Sequence, residues 1–60
     1  MRENAVKDMR VRSTIYPDLN GGVVLRVLPE SDRPETQVRW DGDDKIAEWV
    51  FAKTEIEKEN

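Results

Sequence analysis

The chain has 60 residues, 37% of them hydrophobic and 38% charged, with a formal net charge of −3, no cysteine and no histidine. A domain of this length buries only about 60% of the surface its unfolded chain exposes, so its core is thin. Disulfide staples, thiolate or imidazole metal sites and the commonest general base at neutral pH are all excluded.

Apolar runs such as Val23-Val24-Leu25 are far too short to span a bilayer, and the N-terminus is too polar for a secretory leader. A soluble, cytoplasmic protein is expected. Charge is unevenly spread: residues 1–27 carry five basic and three acidic side chains, whereas residues 28–60 carry five basic and ten acidic ones. That asymmetry implies a basic side and an acidic side, provided the two halves stay separate in the fold.

Residues 1–8 offer only Ala5 and Val6 for burial beyond the initiator, and a flexible N-terminal arm is expected there. Period-2 alternation then dominates. Met9 and Val11 alternate with Arg10 and Arg12, which predicts a first half-buried strand. Ser13 to Gly22 is a ten-residue loop whose Tyr16-Pro17-Asp18 and Asn20-Gly21-Gly22 are turn chemistry: proline presets φ, and Asn and Gly tolerate positive φ. In the second strand Val23, Leu25 and Val27 alternate with Val24 and Arg26, and Pro29 closes it because proline cannot donate to a ladder.

The polar stretch from Glu30 to Glu35 leads to a third strand in which Val38 and Trp40 alternate with Gln37 and Arg39, ended by Asp41-Gly42. A fourth strand is expected over Ile46 to Phe51, and pattern alone does not decide whether Ile46 and Val50 or Trp49 and Phe51 face the core. Ala52 to Thr54 is expected to form a short 3-10 or helical turn, followed by a short strand centred on Ile56. Thr54-x-x-Glu57 satisfies a capping-box pattern, but a helix this short with one apolar residue is marginal.

Four to five short antiparallel strands with one long loop after the first describe an all-β fold, a small SH3-like barrel over residues 9–57 with a C-terminal tail at 58–60. The stretch Gly21-Gly22-Val23-Val24-Leu25-Arg26-Val27, followed by Val38-Arg39-Trp40-Asp41-Gly42, Glu48-Trp49-Val50 and Ile56, resembles the spacing of KOW, Tudor and related SH3-like barrels. The resemblance covers about forty residues and concerns the fold. It implies that the loop after strand one and the region of strands three and four could supply an aromatic cage for a methylated side chain, with Tyr16 and Trp40 at corresponding places and Asp41 or Asp43 as an acidic rim. Against the cage, Trp40 is in phase with Val38 and is expected in the core, since a chain this small needs its large side chains there.

Arg10, Arg12, Arg26 and Arg39 are the sharpest functional feature. Alternation puts them on the non-core side of three consecutive strands, where arginine forks suit carboxylates and phosphates. Simple solvation of an exposed face, with the stems covering Val24 and Leu28 while Asp8 and Glu48 neutralise the charge, is the plain alternative. Tyr16 and Trp49 are the aromatic candidates for a contact surface.

Catalytic constellations fail on inspection. Asp41-x-Asp43-Asp44 lacks the glycine and terminal glutamate of a calcium loop, the serines and threonines have no histidine to activate them, and Gly21-Gly22 leads into a strand rather than a helix. The expected function is a non-catalytic adaptor or regulatory module that binds a protein partner through Arg10, Arg12, Arg26, Arg39, Tyr16 and Trp49. Nucleic-acid binding by the same face is the alternative. No cofactor, metal or membrane is expected, and the chain could act as a monomer or a homodimer.

Overall fold

The computed structural model describes residues 4–29, 32–42 and 47–59. Five strands follow one another along the chain: β1 (Arg10–Ser13), β2 (Gly22–Val27), β3 (Thr36–Trp40), β4 (Ala47–Val50) and β5 (Ile56–Lys58). They form one antiparallel sheet in the order β4-β3-β2-β1-β5, and no helix occurs among the described residues. Among the described residues, no helix is therefore long and apolar enough to cross a membrane. The expected start of the fourth strand at Ile46, and the acidic pair Asp43 and Asp44, lie outside the described residues.

Each strand sits where alternation and turn chemistry predict, but β2 breaks its own alternation. Val24 faces Val38 across the ladder, whereas Arg26 faces Gln37, so β2 advances two residues while β3 advances one. Leu25 is the extra residue of a β-bulge. Uninterrupted period 2 groups Val24 with Arg26 outside and Val23, Leu25 and Val27 inside. The structure corrects that phase: Val24 is fully buried, Val23 and Leu25 are half-buried, and Val27 is exposed.

The core collects Ala5, Val11, Val24, Val38, Trp40, Val50 and Ile56, with Met9, Leu19 and Ala52 packed against it. Val50 therefore settles the phase of β4, pointing inward at 6% exposure while Trp49 on the other side is 40% exposed. The stretch before β1 lies along β2, where the Asp8 amide donates to the Val24 carbonyl at 2.8 Å and the Val24 amide donates to the Met9 carbonyl at 3.0 Å. Asp8 turns the chain there with a φ of 71°. This path carries Ala5 into the core.

Polar groups at the core margin are matched. Trp40, directly opposite Gly22, donates its indole Nε1–H to Glu48 Oε2 at 3.2 Å. Fully buried Thr36 donates its hydroxyl to Glu35 Oε2 at 2.9 Å. Glu35 also accepts the Ala52 amide, at 3.0 Å on Oε1 and 3.3 Å on Oε2, and thereby ties the β2–β3 connection to the turn before β5. That turn spans residues 52–55, with the Glu55 amide donating to the Phe51 carbonyl at 2.9 Å and the Phe51 amide donating to Glu55 Oε1 at 2.8 Å.

Candidate binding face

Residues opposite one another in an antiparallel ladder project from the same face of the sheet. The pairs Arg10 with Val23, Val23 with Arg39, and Arg39 with Ala47 make one row across four strands. Arg26 with Gln37 and Gln37 with Trp49 make the next row. Arg12 lies two residues along β1 from Arg10 and faces Glu57 of β5. All four arginines therefore emerge on the face opposite the core. Arg26 does so because the bulge at Leu25 reverses the phase that Val24 began.

The four are not equivalent. Arg10 donates from Nη1 to Asp41 Oδ1 at 3.0 Å, pairs through Nη2 with Asp41 Oδ2, and reaches Glu59 Oε2 at 3.3 Å. Arg12 donates from Nε to Glu57 Oε1 at 2.5 Å. The hydrogen bonds donated by Arg10 hold the Asp41 carboxyl below the usual carboxylate range, and the same bonds drive the Arg10 guanidinium further above its already high value. Among the described residues, no hydrogen bond or ion pair engages the side chain of Arg26 or Arg39.

Around the amide of Gln37 the sheet therefore presents two uncommitted guanidiniums and the exposed indole of Trp49. Arg26 and Trp49 flank Gln37 on the neighbouring strands, and Arg39 is two residues along the same strand. Leu28, two residues beyond Arg26, is also exposed. A shallow groove lined by Val23, Arg39, Trp40, Asp41 and Gly42 adjoins Arg39.

Tyr16 belongs elsewhere. It is exposed in the loop between β1 and β2, which is folded by Ser13: the Ser13 hydroxyl oxygen accepts the Ile15 and Tyr16 amides at 3.1 and 2.9 Å, and the Ser13 amide donates to the Leu19 carbonyl at 2.8 Å. Thr14 ties this loop to the turn before β5 through its amide to the Glu55 carbonyl at 3.0 Å and its hydroxyl to the Thr54 carbonyl at 2.6 Å. Tyr16 thus shares no row with Arg26, Arg39 and Trp49. Trp40, the other aromatic of the suggested cage, is 4% exposed and built into the core.

Sequence reasoning passed over Gln37, at the centre of the cluster, and expected Asp8 and Glu48 to neutralise the arginines, whereas Asp41, Glu59 and Glu57 occupy Arg10 and Arg12 and Glu48 accepts from Trp40. Glu57 and Glu59 did leave a signal, since their period-2 spacing puts both on one side of a terminal strand. Among the described residues, no group of three or more acidic side chains is placed to hold a metal ion. No protein family, no curated protein and no solved structure matches this chain.

Proposed function

We propose that the chain is a small SH3-like barrel of the KOW and Tudor kind that works as a non-catalytic, cytoplasmic adaptor or regulatory module, binding a protein partner through the outer face of β2, β3 and β4. Support for closure of the sheet comes from its two edges. In a flat sheet β4 and β5 would lie four strand spacings apart, about 19 Å. Only five residues join Val50 to Ile56, and they contain a turn closed on the Phe51 carbonyl. A single sheet also has no second layer to cover Val11, Val24, Val38 and Ile56, all fully buried, unless it curls over them.

The observation that carries the functional reading is the cluster of Arg26, Arg39 and Trp49 around Gln37. An exposed aromatic beside uncommitted arginines is the composition that concentrates energy at protein interfaces. The remainder of the face favours protein over nucleic acid. Asp41, Glu57 and Glu59 accompany Arg10 and Arg12, so the four guanidiniums are offset by three carboxylates, and a phosphate backbone crossing the sheet would meet these acids.

The test is capture of binding proteins by the immobilised chain, comparing wild type with Arg39→Glu and Trp49→Ala, each checked for folding by circular dichroism. Loss of the same captured species with both variants is expected. Undiminished capture by both folded variants overturns the assignment of this face.

A further inference from the structure

We infer that the occupant of this face is an extended acidic peptide segment, with two carboxylates spaced two residues apart on Arg26 and Arg39 and a neighbouring large apolar side chain against Trp49. The inference rests on the protein-binding reading and names the partner's chemistry.

The spacing comes from the ladder. Arg26 lies one strand spacing from Gln37, and Arg39 lies two residues further along β3. With about 4.8 Å between strands and about 6.7 Å per two residues, the two Cα atoms are about 8 Å apart. Side chains at positions i and i+2 of an extended peptide leave the same face about 6.7 Å apart, so two carboxylates match two guanidiniums with a small adjustment of flexible stems. A guanidinium fork receives a carboxylate through two parallel N–H bonds, a geometry that a lysine could not offer.

Charge selects the occupant. Arg26 and Arg39 are the members of the face whose charge no described side chain offsets, and a ligand carrying negative charge only there avoids Asp41, Glu57 and Glu59. Gln37 lies between Arg26 and Trp49, where its amide can donate to a peptide carbonyl and accept from a peptide N–H. The indole of Trp49, across Gln37 from Arg26, and the exposed Leu28, two residues beyond Arg26, supply apolar area beside the charged pair.

The probe is the synthetic peptide acetyl-Leu-Thr-Glu-Thr-Glu-Thr-Leu-amide, whose Leu and Glu side chains share one face when it is extended, together with its counterpart carrying Gln for both Glu. Binding to the full chain is followed by amide and indole NMR shifts. The Glu peptide is expected to move the Trp49 indole N–H and leave that of buried Trp40 in place, and to bind at least about tenfold more tightly than the Gln peptide. Arg26→Gln and Arg39→Gln should each weaken it about tenfold, and Arg12→Gln, which touches a guanidinium already held by Glu57, should change it less than about twofold.

No shift at about 5 mM Glu peptide overturns the inference, as does equal affinity for the two peptides or indifference to both Arg26→Gln and Arg39→Gln. A thymidine oligonucleotide that displaces the Glu peptide from the same residues and binds more tightly also overturns it. These failures differ from failure of the broader reading, because capture that still depends on Arg39 and Trp49 keeps a protein partner while removing its acidic character.

Discussion

A Cβ added to Gly22 would sit 2.7 Å from Trp40 Cε3, 2.9 Å from the Arg39 carbonyl oxygen and 3.1 Å from a Val38 methyl. Two of these are a buried ring and backbone, which cannot swing away, so Gly22→Ala should destabilise the chain by about 1–3 kcal/mol, the usual cost of overpacking, read as a lower urea midpoint. Gly42 fails for a different reason. It has open space around it but a φ of 85°, so Gly42→Ala should cost about 1–2 kcal/mol through the backbone alone. Equal stability of wild type and Gly22→Ala would mean that the Trp40 ring does not lie over Gly22. At the neighbouring ion pair, Arg10 keeps the Asp41 carboxyl below its ordinary range. Unfolded Asp41 takes up its proton at higher pH than folded Asp41, so the pair's contribution is present above the unfolded value and lost as pH falls through the folded one. Arg10→Gln should therefore raise the Asp41 titration midpoint measured by carboxyl carbon NMR and flatten the acid limb of stability. An unmoved midpoint would show the pair absent in solution.

The bulge in β2 decides which side chains reach the outer face. Removing Leu25 would leave Val24 opposite Val38 and Arg26 opposite Gln37 as consecutive pairs of a regular ladder, with Val24 still inside and Arg26 still outside. Deletion of Leu25 should therefore preserve a cooperative unfolding transition, as should Leu25→Thr, which keeps the residue count. Loss of cooperative unfolding in the deletion variant would contradict the register. The turn before β5 depends in turn on Glu35, which accepts the Ala52 amide and the hydroxyl of fully buried Thr36. Glu35→Ala leaves those donors without an acceptor and should lower stability by about 1–3 kcal/mol, with Glu35→Gln losing less. These two elements also mark how far the sequence could be read. Alternation located β1 through β4 and put Val11, Val38 and Trp40 inside, since burial of one sheet face writes period 2 directly into the residues. It misassigned Val24 because a bulge in a run of Val and Leu leaves no polar residue to mark the slip. It could not place Asp41 and Glu59 on Arg10, since those partners are 31 and 49 residues away and only the strand order brings them together. Arg26, Arg39 and Trp49 were legible as candidates. What separated them from Arg10 and Arg12 was the location of the carboxylates.

The whole chain has a radius of gyration of 10.2 Å, against about 10.4 Å expected of a compact 60-residue domain. The outer face of the described residues is partitioned by charge. Carboxylates surround Arg10 and Arg12 at the β1–β5 side, and uncommitted guanidiniums remain on β2 and β3. The strand at the β5 edge carries Glu57 and Lys58, a composition that discourages pairing with a second sheet. The same partition sets a limit on phosphate binding. Each phosphate neutralised on duplex DNA contributes about 0.9 to the slope of log affinity against log salt, so Arg26 and Arg39 alone give a slope no steeper than about −1.8. Fluorescence anisotropy with a labelled 20-base-pair duplex over about 20–200 mM salt should therefore show weak binding with that shallow slope, and Arg39→Gln should halve it. A slope near −3.6 would require Arg10 and Arg12 to leave Asp41 and Glu57 for phosphate, and would transfer the arginine face from protein to nucleic-acid recognition.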